Sequence, residues 1–300
     1  MRTKTYLFAL MAMALTLGSC SNDENGIGGE TSKYITVSTR IGNMTRVATD
    51  ANGGQTFEEG DEISVYAWTG DATVAPETSE RVVNNAINKL TNGSWVSTPQ
   101  MLWKNNRDNH YFIGVYPTAA ISDLTAGEYT FDVTKQAESD LLVAVNTDGI
   151  SYNANEQQTV PLTFTHVMAK LVVNLTYKNQ WGGIPTVEKV VVGNAAKEAT
   201  VNYLTKVITP STTIKEDISL PEITENTKYV SVIIPQEEVK QLTIVIGGKN
   251  YIYDNGTPFK LESGKITTIN LEVGRDEIKL GEVKISNWEE GSTFNGEALN

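Results

Sequence analysis

The sequence predicts an all-β protein with two tandem β-sandwich domains behind an export signal. Three observations predict it. Short runs rich in β-branched and aromatic residues recur along the chain, among them KYITVSTRI (33–41), EISVYAW (62–68), HYFIGVYP (110–117) and ITTINLEV (266–273). Turn signals separate them, including the Gly-rich stretch 50–54, Glu59-Gly60-Asp61, Asn92-Gly93 and Ser263-Gly264. Many short strands punctuated this way indicate sandwiches or barrels rather than alternating β and α units. Behind the signal and the polar tether that follows it, about 270 residues remain, more than one core usually holds, so two domains are expected.

The N-terminus reads as a signal peptide over residues 1–19. Arg2 and Lys4 precede an uncharged apolar run, Tyr6–Leu17, and small residues follow. That run is shorter than the roughly 20 residues a permanent spanning helix needs. Cys20 comes next and is the only cysteine in the chain. Leu17-Gly18-Ser19-Cys20 resembles the lipobox of bacterial lipoproteins, which implies a lipid on the Cys20 thiol and cleavage just before it. Several acyl chains on one residue anchor it stably, because each buried methylene contributes about 0.8 kcal/mol. The acidic Ser21-Asn22-Asp23-Glu24 resembles an outer-surface export tag and also reads as the start of a flexible tether over residues 20–32.

The first sandwich is expected over 33–158. KYITVSTRI opens it, with Ile35, Val37, Thr39 and Ile41 on one face. EISVYAW sets Ile63, Val65 and Ala67 opposite Tyr66 and Trp68. SERVVNNAINKL (79–90) carries apolar residues at helical spacing, Val82, Ala86 and Leu90 with Val83 and Ile87 beside them, and is expected to be a helix or a loop with a helical turn. A polar stretch, 153–159, marks the break. The second sandwich is expected over 159–300 and opens with AKLVVNLTY, whose alternation echoes the first strand.

The formal charge is −12, and loss of Arg2 and Lys4 with the signal takes it to −14. An acidic surface argues against a nucleic-acid partner and against a flat anionic membrane. The body has no cysteine for a disulfide or thiolate metal site, and none of HExxH, a P-loop or G-x-S-x-G is present. NTDGISYN (146–153) lacks the alternating oxygen ligands and closing Glu of a calcium loop. No metal, no cofactor beyond the Cys20 lipid and no enzymatic activity are expected. His110 and His166 read as strand residues bonded to neighbours.

An ordered series then carries a resemblance: the lipobox, a first strand, FEEGDEISVYAW, QMLWKNNRDNHYFIGVYP, ESDLLVA, VPLTFTHVMAKLVVNL, VSVIIPQ and GKITTINLEV. Over roughly residues 20–290 the chain resembles the fimbrillin family, type V pilin subunits of Gram-negative anaerobes. The resemblance implies two transthyretin-like β-sandwiches, an outer-membrane lipoprotein precursor, and a cell-surface fimbrium as destination. It implies cleavage by a trypsin-like maturation protease after an arginine. Removal of the first strand then opens a groove that a strand of another pilin subunit fills. Such head-to-tail pairing does not close and generates fibres.

On that basis Ile35, Val37 and Ile41 are the groove-filling side chains of the first strand. Arg46, in the polar loop GNMTRVATDANGGQTF, is the expected cut; the alternative is an ordinary loop charge. EIKLGEVKISNW is the candidate donor strand, with Ile278, Leu280, Val283, Ile285 and Trp288 as its plugs and Gly281 as a bulge that switches faces. The alternative is an edge strand that stays in its own domain. The expected role is a stalk or anchor subunit that supports adhesion. The competing reading is a monomeric surface lipoprotein or tip adhesin that binds host or bacterial glycans through Trp68, Trp95, Trp103 or Trp181.

Overall fold

The computed structural model describes residues 33–42 and 56–288, apart from 155, 157 and 255. Cys20 and Arg46 lie outside the described residues. The fold is all-β. The first half contains β1 (Thr36–Ile41), β2 (Glu62–Thr69), β3 (Val83–Thr91), β4 (Ser94–Thr98), β5 (His110–Tyr116), β6 (Gly127–Thr130), a single helical turn α1 (Gln136–Ser139), β7 (Leu142–Ile150) and β8 (Thr159–His166). The second half contains β9 (Ala169–Tyr177), β10 (Val187–Ala196), β11 (Glu198–Asn202), β12 (Val207–Pro210), β13 (Lys215–Leu220), β14 (Glu222–Thr224), β15 (Lys228–Ile233), β16 (Gln241–Ile246), β17 (Lys249–Asp254), β18 (Lys265–Val273) and β19 (Ile278–Asn287).

Seven strands form one sheet in the order β1-β8-β7-β5-β2-β3-β4. All its neighbours are antiparallel except β1 and β8. The sheet is rolled, because its two outermost strands come back together. Trp95 Nε1 on β4 donates to Thr39 Oγ1 on β1 at 3.0 Å, and Ile35 N donates to Met101 O at 3.0 Å. The inside of the roll is a core of Ile35, Val37, Ile63, Val65, Ala67, Leu162 and Phe164 with their neighbours. The outside is also covered: Tyr66, Trp68, Ile113 and Val143 join the core of the second half. EISVYAW is therefore buried on both faces, as its two apolar sets require.

Small residues make the roll possible. Val65, Gly114, Ala144, Phe164 and Ile41 stand opposite one another across β2, β5, β7, β8 and β1. A Cβ on Gly114 would lie 2.7 Å from Phe164 Cζ. The glycine thus leaves the space that the phenyl ring fills inside the curve.

The segment 79–90 is the main departure from expectation. It gives a three-residue 3-10 turn, Thr78–Glu80, and then β3. Asn85 has φ +56° and the β2–β3 register shifts between Val65 and Ala67. A bulge of this kind inserts a residue, so inward positions fall at Val83, Ala86 and Asn88 rather than at every second residue. That spacing of three mimics a helical face. Asn92-Gly93 then closes the β3–β4 hairpin with both residues at positive φ, the geometry that Asn-Gly favours.

In the second half a four-stranded sheet, β13-β10-β16-β17, shares a core with a five-stranded sheet, β14-β15-β9-β18-β19. A third, small sheet, β12-β11-β6, pairs β6 of the first half with β11 of the second. The described residues form one compact unit. The break expected at 158/159 falls between β7 and β8, and β8 extends the first sheet, so the chain leaves that sheet only after His166.

Candidate functional site

The first strand has a ladder on one edge only. Its alternation turns Ile35 (2% exposed) and Val37 (6% exposed) into the rolled core, and Ile41 packs against it half-buried. Six residue pairs, Thr36–Ile41 with Thr159–Phe164, join β1 to β8 in parallel. Gly42 N donates to Phe164 O at 2.8 Å and Arg40 Nε to Thr163 Oγ1 at 2.8 Å, so Arg40 lies within paired strand. Among the described residues β1 has no second ladder. Its other edge opens on a cleft of about 600 Å³, lined by Thr39, Arg40, Phe57, Leu90, Ser94 and Trp95, among others. A short isolated bridge, Tyr34 with Leu102, ties its start to the segment after β4.

Beneath that start, Trp103 packs edge-on against His110 at 5.0 Å and Phe112 at 5.9 Å. His110 is fully buried, and its Nε2 accepts from Lys104 N at 3.0 Å. Burial is the main cause that lowers its pKa, so the ring is neutral. Asn88 faces the same core at 1% exposure. Its Nδ2 donates to Ala86 O, and its Oδ1 has no hydrogen-bond partner among the described residues. Outside the roll, Arg81 donates to Ile121 O at 2.7 Å, Ser122 O at 2.6 Å and Asn84 Oδ1 at 2.9 Å, beside the Tyr66 ring.

The terminal strand β19 is an edge strand of the five-stranded sheet, paired antiparallel with β18. The register shifts between Ile269 and Leu271, opposite the stretch that contains Gly281 and Glu282. The bulge therefore sets Ile278, Leu280, Val283 and Ile285 opposite the inward residues Val273, Leu271, Ile269 and Thr267. Ile278 and Leu280 pack on the core, whereas Val283 and Ile285 stay about 40% exposed. Trp288 is buried and lies flat on His166, with ring centroids 4.0 Å apart and planes 7° apart. His166 Nδ1 lies 3.0 Å from Asp140 Oδ1.

Sequence reasoning located both terminal strands; of their apolar residues Ile35, Val37, Ile278, Leu280 and Trp288 meet the core, while Val283 and Ile285 stay about 40% exposed. It missed Asn88 and Arg81, which fell in the expected helix, and the His166–Trp288 stack, which joins residues 122 positions apart. Gly114 was findable as an isolated glycine inside a strand run. Of the four tryptophans considered for sugar stacking, Trp68 and Trp103 are buried. Trp181 packs on Tyr251 with Arg275 over its ring. Trp95 alone of the four lines the cleft. Among the described residues no group of three His, Cys, Asp or Glu side chains is placed to hold a metal.

A rolled sheet with β1 on one edge, followed by a β-sandwich with β19 on one edge, defines an all-β protein of packed sheets. The chain belongs to the fimbrillin-like family, whose model matches residues 45–288. Its fold is similar to a candidate cell adhesion protein from Bacteroides uniformis (TM-score 0.63, 20% identity, 86% of this chain and 100% of that one). It is also similar to a fimbrial protein from Bacteroides vulgatus (TM-score 0.51, 14% identity, 84% and 99%). A third is the tip fimbrial protein Mfa3 from Porphyromonas gingivalis with C-terminal truncation (TM-score 0.50, 11% identity, 77% and 95%). No curated protein sequence matches the chain.

Proposed function

We propose that the protein is a non-enzymatic structural subunit, stalk or anchor, of a cell-surface fimbria that supports adhesion. It is made as a precursor lipidated at Cys20 and held at the outer membrane. Cleavage after Arg46 by a trypsin-like protease removes the tether and β1. The emptied slot beside β8 then accepts a strand from another subunit, with β19 as the candidate donor. Family membership supports the fimbrial role, and the relatives described as fimbrial or cell-adhesion proteins fit it.

The observation that carries the replaceable strand is the seat of β1: six ladder pairs on one edge, an open cleft on the other, and Ile35 and Val37 plugged into an apolar trough. Removing such a strand exposes unpaired backbone and apolar side chains together, and an incoming strand satisfies both. For β19 the weak cover over Val283 and Ile285 favours release, while the buried Trp288 opposes it.

The test is the N-terminus of the protein in sheared surface material and in outer membranes, by intact mass and terminal sequencing. The reading expects sheared material that starts at Val47. If all the protein starts at a lipidated Cys20 and stays with the membrane, the stalk role fails. Binding of the uncut, isolated protein to a polysaccharide would then favour the glycan-binding alternative, with Trp95 as the first residue to change.

A further inference from the structure

Strand β8 lies between β1 and β7. Its ladder with β1 runs over Thr159–Phe164, but its ladder with β7 covers three pairs only, Phe164–His166 with Leu142–Ala144. Among the described residues, Thr159–Thr163 therefore has β1 as its one strand partner. A single side-chain bond adds to it there from β7, Asn146 Nδ2 to Pro161 O at 3.1 Å.

The far end of β8 is tied to the last strand. His166 stacks on Trp288, and Lys170 Nζ lies 5.1 Å from the same ring. Directly after His166, Val167 O accepts from Ser263 Oγ at 2.9 Å and Met168 O accepts from Gly264 N at 2.9 Å. Gly264 O in turn accepts from Trp288 N at 3.1 Å. The end of β8, the turn before β18 and the end of β19 thus form one knot. The C-terminal half of β19 pairs with β18 over Val283–Asn287, and its side chains Val283 and Ile285 are weakly covered; the knot adds a second hold at that end, outside the ladder.

We infer that β8 is a coupling strand: whatever occupies the slot of β1 sets, through His166 and Trp288, how firmly β19 is held in its own sheet. The inference rests on the reading that β1 is replaceable. With the slot empty, five residues of β8 lose their ladder, and the three remaining pairs end on the residue that supports Trp288. An empty slot loosens β19, and a filled slot secures it. Strand availability at the end of a subunit would then depend on whether its own slot is filled. Coupling of this kind is reciprocal, so loosening Trp288 must loosen β1 by the same factor.

Amide hydrogen exchange on the uncleaved chain, which keeps β1, tests this, since strands that open locally exchange faster than the global core. Val37→Ala weakens the seat of β1, and Ile35→Val is a milder second variant. The expected result is a rise of about tenfold in exchange over 159–164 and over 278–287, with β10 and β16 unchanged. Trp288→Ala should raise exchange over 36–41, again with β10 and β16 unchanged. The coupling is overturned if β8 loosens while β19 keeps its rate, or if all strands accelerate alike. The underlying reading fails in a different way: in the unaltered chain, β1 amides would exchange only at the rate of β10, showing a first strand that never opens by itself.

Discussion

Gly114→Ala tests how the groove is built. The backbone at Gly114 does not need positive φ, so the substitution is a steric probe. The new Cβ would stand 2.7 Å from Phe164 Cζ and 3.1 Å from Leu162 Cδ1. Phe164 has little room to retreat, because Phe57 packs edge-on against its ring at 5.1 Å and the residue is fully buried. Overpacking of this kind costs about 1–3 kcal/mol. Replacing glycine recovers about 0.5–1 kcal/mol of unfolded-chain entropy. The net loss is about 0–2.5 kcal/mol, which for a unit of this size lowers Tm by up to about 10 °C. The assay is thermal and denaturant unfolding of the single variant, of Phe164→Leu, and of the double variant. Leucine relieves the clash, so the double variant should be more stable than the sum of the two singles by about 1 kcal/mol. A stabilising Gly114→Ala, or strict additivity in the cycle, refutes the close approach of glycine and ring.

Three further outcomes follow from the same physical reasoning. Arg81→Ala leaves the carbonyls of Ile121 and Ser122 without their donor and should cost about 2–4 kcal/mol in denaturant unfolding, with Arg81→Lys rescuing only part, because a single ammonium cannot reach all the acceptors. Asn88→Leu removes the buried amide oxygen that lacks a donor and should stabilise the fold by about 1 kcal/mol, seen as a higher midpoint at unchanged slope. His110 has a folded pKa below the 6.5 of the unfolded chain, so below that value the unfolded state binds more protons. Its contribution is complete above about pH 6.5 and declines as the pH falls into the range below; denaturation midpoints at pH 7 and pH 5 should differ less in His110→Phe, which cannot titrate.

Local pattern determined a good deal by itself. Alternation in KYITVSTRI assigned Ile35 and Val37 to the core, and EISVYAW showed two apolar faces, because side-chain parity in a strand depends only on sequence. Asn92-Gly93 specified its hairpin, since few residue pairs accept two positive φ angles. Gly281 marked the bulge in β19, where an added Cβ would stand 3.2 Å from Asn270 O.

Everything that depends on which strand meets which was decided only by the tertiary structure. The bulge at Asn85 turned an apparent helix into β3, because one inserted residue changes the spacing of inward positions and only pairing with β2 reveals it. The placement of β8 in the first sheet, the parallel β1–β8 ladder and the roll that brings Trp95 to Thr39 are contacts between segments far apart in sequence. The stack of Trp288 on His166 is another. Such contacts arise from the joint burial of many surfaces, and no single stretch of chain carries that information.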